Sequence, residues 1–301
     1  MSTFFSGILP LVCFFFLGIL FNFLKIFKKE DGLFLLKLVF FIFIPIMAFR
    51  AIVSVDISKD FLIIPLVPLA PILVSFLIAT IYLKIYPQPK SMAGIVYCGS
   101  MNMNTAFILP FIAVAYGVSG LSKALFFDIG NIFFIFTFIY SIAVKHGVNN
   151  AISTRFILKK IICVPTIWAL LLGLLFAIFK INIDIGIINF LDTASVASTP
   201  LIMLSLGFVF SPRLKNLPKA LSIIFIRMFC GFLVGFVISR FLPIDELSKK
   251  VIILGCAAPC GFNTMVFAAM ESLDERFGAT VCSISTFLGI IYMPVVIWFL
   301  R

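Results

Sequence analysis

Apolar residues run in long stretches along this chain, and the polar residues collect in short gaps between them. The stretches lie near residues 5–24, 33–53, 61–84, 91–115, 122–144, 156–179, 194–210, 219–241, 250–270 and 277–299. Each is near the roughly 20 residues that a helix needs to cross a hydrocarbon core about 30 Å thick. In lipid every backbone N–H and C=O must be bonded within the protein, which favours helices over open strands. The pattern predicts an all-α integral membrane protein with ten transmembrane helices, short loops and no soluble domain. The first stretch lacks the basic flank and small-residue cleavage site of a removable signal, so it reads as the first span.

The pattern also repeats. Laying residues 8–27 on 163–182 aligns Pro10 with Pro165, Gly18 with Gly173, Phe21 with Phe176 and Lys25 with Lys180. The same offset puts Pro45 on Pro200, and a slightly larger one puts Asn104 and Thr105 on Asn263 and Thr264. Two five-span halves are implied, residues 1–148 and 149–301, which divide in the polar loop 145–155. Five is odd, so the second half enters the membrane inverted, as in many alternating-access carriers.

Two spans carry polar breaks at matching depth. The fourth holds Asn102, Asn104 and Thr105, followed by Pro110; the ninth holds Pro259, Gly261, Asn263 and Thr264. Proline removes an amide donor and obstructs the preceding turn, so both helices are expected to be broken, held so by Pro110, Pro259 and Gly261. Half-helix N-termini present free amides and partial positive charge, and asparagine amides donate to the same acceptors. Asn102, Asn104, Thr105, Asn263 and Thr264 are therefore the candidate lining of a site for a small anion such as a carboxylate. The alternative for each is an ordinary interhelical packing contact.

Charge refines this picture. The 301 residues are 63% hydrophobic and 12% charged, with a net charge of +11. Placing the N-terminus outside gives inward loops with Lys25, Lys28, Lys29, Lys84, Lys90, Lys145, Arg155, Lys159, Lys160, Arg213, Lys215 and Lys219. The outward loops then hold fewer: Arg50, Lys59, Lys123, Lys180, Arg240, Lys249 and Lys250. Excess cytoplasmic Lys and Arg thus accounts for the basic balance without nucleic acid, and puts both termini on the outer side of the inner (plasma) membrane. Arg227 and Asp128 fall inside spans, where a charge needs a partner or water. Their depths differ by about 12 Å, which argues against a direct pair. Arg227 is a candidate to attract the anion or to snorkel to the interface; Asp128 is a candidate H+ or Na+ coupling site or an interhelical hydrogen bond. Glu271, Asp274 and Glu275 read as a solvated loop. The seven cysteines read as small buried hydrophobes, and with one histidine, His146, in a loop, neither a metal site, a cofactor site nor an enzyme is expected.

The string NTAFILPFIAVAYG, Asn104 to Gly117, resembles the fourth span of the auxin efflux carrier family, and the segment from Ala258 to Pro294 resembles that family's ninth and tenth spans. The resemblance implies ten helices in an inverted repeat, with the fourth and ninth crossing near the binding site. It implies a transport domain that moves against a scaffold of the first, second, sixth and seventh helices, through which such carriers form homodimers. Bacterial members are associated with malonate, malate and related carboxylates, and without the long loop of the plant carriers this chain is nearer to them. Pro110 falls at one arm of the crossover, while the other arm has Thr264 where plant carriers have proline. The function expected is secondary transport of a small organic anion across the lipid bilayer. The rivals are a sodium-coupled symporter of the bile-acid type, which resembles the same architecture, and a non-transporting sensor.

Overall fold

The computed structural model describes residues 2–54, 60–148, 154–212 and 216–300. The boundary between the two sequence halves, just after residue 148, and the loop cations Lys59, Arg213 and Lys215 adjoin or fall outside these residues. Among the described residues the regular structure is helical, apart from one antiparallel bridge between Met103 and Cys260. Seven helical runs among the described residues are long and apolar enough to cross a membrane: Ser6–Phe23, Glu30–Val53, Asp60–Ile85, Thr105–His146, Ile185–Phe208, Leu217–Phe241 and Glu275–Phe299. The run Thr105–His146 has 42 residues, and at 1.5 Å each a straight helix would measure about 63 Å, twice the hydrocarbon core. It is not straight. Gly117, at φ 60° and ψ −154°, interrupts its backbone and divides it into two helical pieces.

Two stretches differ from the sequence pattern for local reasons. The sixth splits into Thr154–Ile162 and Pro165–Ile178. Val164 is extended (φ −78°, ψ 108°), because the ring of a following proline disfavours the helical region. The seventh helix begins at Ile185, well before the expected 194, since the Asp184 carboxylate accepts from the Gly186 amide at 2.8 Å and starts it. Several of the polar residues along this helix are partnered. Asp192 pairs with Arg50 at 2.7 Å, and the Thr193, Ser195 and Ser198 hydroxyls donate to carbonyls one turn earlier.

The chain folds as two compact units. The first comprises residues 1–61, 109–125 and 162–210; the second comprises 62–108, 126–161 and 211–301. Each unit draws on both sequence halves, and the first gathers the helices that the family resemblance assigns to the scaffold. Within it, Ser2–Phe23 packs along Ile185–Phe208, and Pro165–Ile178 packs along Ile44–Val53. The aligned lysines Lys25 and Lys180 end their helices in the same way, both at positive φ (57° and 50°). The next amide reaches back to the matching phenylalanine carbonyl each time: Ile26 to Phe21 at 3.1 Å and Ile181 to Phe176 at 3.0 Å. The unit also buries charge that the sequence placed in loops. Lys123, 5% exposed, lies 3.7 Å from the Asp60 carboxylate and over the Phe61 ring.

The Ser2–Phe23 and Ile185–Phe208 helices meet backbone to backbone. A Cβ added to Gly207 would lie 2.9 Å from the Gly18 Cα and closer still to the Phe15 carbonyl oxygen. Small residues permit such approach between membrane helices, and backbone atoms cannot rotate aside. Gly207→Val is therefore expected to cost about 3 kcal/mol, read as a lowered thermal unfolding midpoint of the purified protein. An unchanged midpoint would show that these helices do not touch here.

Candidate functional site

The breaks in the fourth and ninth stretches lie within the second unit, side by side. Helix Lys90–Met101 stops, residues 102–104 run extended, and helix Thr105–Phe134 begins. Helix Glu246–Cys256 likewise stops, and after residues 257–262 helix Asn263–Met270 begins. The interrupted backbones pair across the crossing: the Asn104 amide donates to the Pro259 carbonyl and the Gly261 amide to the Asn102 carbonyl, both at 2.9 Å. The Cys260 amide donates to the Ser285 hydroxyl at 3.1 Å. Gly261 makes the close approach feasible, since a Cβ there would sit 2.5 Å from Asn102 Oδ1.

The structure brings most of the predicted residues together here. Pro259 and Gly261 sit in the second break, and Asn102 spans the crossing. Its Nδ2 donates to the Gly261 carbonyl and the Thr264 hydroxyl, both at 3.3 Å. Asn104 caps its helix, Oδ1 accepting from the Phe107 amide at 3.2 Å. Asn263 opens Asn263–Met270, a helix without a side-chain cap. Pro110 departs from expectation: it lies inside Thr105–Phe134, beyond the break. The Asn104 cap and the Pro259 pairing start a new helix before that proline is reached, and the helix tolerates the single missing donor.

Arg227 also departs from its expected role. It is fully buried, in a π-turn at Phe225–Cys230, and neither snorkels nor faces an open cavity. Its Nε donates to the Ala258 carbonyl at 3.2 Å, and its Nη1 to the Ser100 and Met101 carbonyls at 3.4 and 3.3 Å. Nη2 donates to the Cys256 carbonyl. These are the carbonyls orphaned at the C-terminal ends of the two interrupted helices. One cation thus meets two partial negative charges, and the planar fork of five donors suits the task as no lysine could.

The polar groups left over are informative. Asn102 Oδ1, Asn104 Nδ2 and Asn131 Oδ1 are buried without a hydrogen-bond partner, where each such group costs about 1–3 kcal/mol. Asn102, Asn104, Thr105 and Thr264 are at most 5% exposed, so in this conformation the crossing is closed to solvent. Asp128 accepts from the Thr105 hydroxyl and from Asn131 Nδ2, and is not paired with Arg227. The sequence reading passed over Asn131, which also donates to the Met103 carbonyl at 3.2 Å; its place one turn beyond Asp128 was the available signal. Glu271, read as part of a solvated loop, is in fact 4% exposed and accepts from the Tyr140 hydroxyl at 2.7 Å. Cys260 and Cys282 lie 3.6 Å apart, and among the described residues no three His, Cys, Asp or Glu side chains could hold a metal.

A model of the membrane transport protein family matches residues 3–297, and the chain belongs to this family, the auxin efflux carriers. The chain is 26% identical over 285 residues to an uncharacterized transporter of Methanothermobacter thermautotrophicus, with 92% of each chain covered. It is 27% identical over 285 residues to an uncharacterized transporter of Methanocaldococcus jannaschii, covering 91% of this chain and 92% of that one.

Removing the guanidinium leaves the broken helix ends with nothing to bond. Hydrogen bonds from a charged donor contribute about 1.5–3 kcal/mol each, so Arg227→Met is expected to unfold the protein or lower its thermal midpoint sharply. Arg227→Lys should fall between the two. A well-folded Arg227→Met protein with normal stability would overturn the stitching role.

Proposed function

We propose, starting from this membership, that the protein is a secondary carrier that moves a small organic anion, a carboxylate, by alternating access. On this reading ten spans form two inverted five-helix halves, 1–148 and 149–301, with both termini on the outer side of the inner (plasma) membrane. Residues 1–61 and 162–210 contribute a scaffold through which two copies associate, and the crossing belongs to the part that moves.

The carrying observation is the charge balance at the crossing. Two interrupted helices place C-terminal and N-terminal ends there. Arg227 consumes the C-terminal ends. Among the described residues, the N-terminal ends of Thr105–Phe134 and Asn263–Met270 have no acid bonded to them other than Asp128, which bonds Thr105. Beside them Asn104 Nδ2 is a buried donor with no acceptor. A carboxylate supplies what both lack: acceptor oxygens and negative charge. Ligand sites at half-helix ends near the bilayer midplane are usual for carriers built from inverted repeats. The crossing residues are closed to solvent in this conformation, so entry requires a rearrangement, as alternating access does. The second reading, a sodium-coupled symporter, is favoured by one observation, the uncompensated Asp128.

Purified protein in proteoliposomes, challenged with mono- and dicarboxylates under sodium or proton gradients, tests the proposal. Uptake or exchange of a carboxylate is expected, and Asn104→Ala/Asn263→Ala should abolish it while leaving the protein folded, the lost Asn104 cap costing only about 0.5–2 kcal/mol. Folded protein that moves no carboxylate under any gradient would exclude the carrier of this substrate class. Retained transport in the double variant would remove the site from the crossing.

A further inference from the structure

Asp128 stands out in the second unit because its environment does not balance its charge. Its carboxylate receives two hydrogen bonds, one from the Thr105 hydroxyl and one from Asn131 Nδ2 at 3.3 Å. Both donors are neutral, and among the described residues no Lys, Arg or His lies within ion-pair distance of it. Arg227 is committed to four carbonyls, and the Lys123 ammonium lies at Asp60. An ionised carboxylate within a span normally has a partner cation or water.

A second observation points the same way. Asn131 is 1% exposed, and its amide group faces Asp128, yet its oxygen has no donor. The same amide nitrogen bonds the Met103 carbonyl at 3.2 Å, which keeps a second lone pair. The Asn131 amide nitrogen lies between the Asp128 carboxylate and the Met103 carbonyl; turned over, the amide would present its unpartnered oxygen to the same place. With the Thr105 hydroxyl the set would then be oxygen only, and the single acidic group supplies one negative charge. Hard cations take such ligands, and one carboxylate balances a monovalent ion.

We propose that Asp128, Asn131, Thr105 and the Met103 carbonyl form a binding site for a monovalent cation, Na+. Met103 and Thr105 flank Asn104 in the chain, so an ion held between them fixes the segment that carries the orphan amide donor. This links cation occupancy to the anion site, and that link, though not the ion site itself, rests on the carrier reading. Unwound carbonyls and helix ends serve coupling ions in this way in other inverted-repeat carriers.

The test needs no organic substrate. Full-length protein in detergent is titrated with 22Na+, and its thermal midpoint is compared in sodium, potassium and choline chloride at fixed pH. Saturable 22Na+ binding and a rise in midpoint specific to sodium are expected. Asp128→Asn should abolish both, and Asn131→Leu should weaken binding by about tenfold or more. Thr105→Val, which keeps the shape and removes one oxygen, is the fallback where another variant fails to fold, and should also weaken it. Absence of saturable binding in the wild type, or binding unchanged in Asp128→Asn or Thr105→Val, overturns the proposal. Equal stabilisation by potassium overturns the choice of ion, and stabilisation by lowered pH in choline but not by sodium assigns the site to a proton instead. Carboxylate uptake that persists without sodium would overturn the link between the ion and the anion site and leave the carrier standing, while sodium binding without any anion transport would uphold the ion site and overturn the carrier.

Discussion

A helix that stops inside a buried core leaves backbone carbonyls with nowhere to turn, and two helices stop so at one place here. In water the ends of Lys90–Met101 and Glu246–Cys256 would be solvated; in hydrocarbon each unsatisfied group costs several kcal/mol. The Arg227 guanidinium answers for both ends at once, bonding Ser100 and Met101 on one side and Cys256 and Ala258 on the other. The backbone bridge of Met103 with Cys260 then closes the remaining gap. A buried cation is costly by itself, and here two helix dipoles and four acceptors offset it. The crossing depends on that one side chain.

The all-helical, apolar character was legible because lipid imposes a simple rule of about 20 apolar residues; among the described residues seven helical runs meet it, against the ten stretches counted in the sequence. The breaks were legible too, since Asn102, Asn104, Pro259 and Gly261 are unusual companions for an apolar run. Pro110 misled because proline is visible in sequence while capping is not. The helix restarts where the Asn104 side chain accepts from Phe107, a choice made by geometry before the proline is reached. Arg227 misled for the opposite reason. Its partners are backbone carbonyls, contributed by residues far away in sequence, and no residue type announces a carbonyl that needs a donor.

Charges near span ends were the least legible. Lys123 and Glu271 both sit where a loop would be expected, yet each is about 5% exposed or less and each has a specific partner, Asp60 and Tyr140 respectively. A count of loop cations treats such residues as solvated and so overstates what it knows. One match noted in the sequence has a local backbone counterpart: Lys25 and Lys180 are both exposed and both end a helix at positive φ with the same returning hydrogen bond.

The two arms of the crossing are related in design yet unequal in charge. The N-terminus of Thr105–Phe134 is capped by Asn104 and has Asp128 bonded to its first residue. The N-terminus of Asn263–Met270 has neither a side-chain cap nor a bonded acid. Each end carries roughly half a positive charge, so an acid beside the first arm largely cancels its attraction for an anion, while the second arm keeps its own. On the proposed carrier reading, an anion meeting this pair would be drawn first to the Asn263 end. It would use the first arm, with its free Asn104 donor, only once the Asp128 charge was neutralised. Coupling between the proposed cation and anion would then need no long-range signal, because both would act on the same half-helix end.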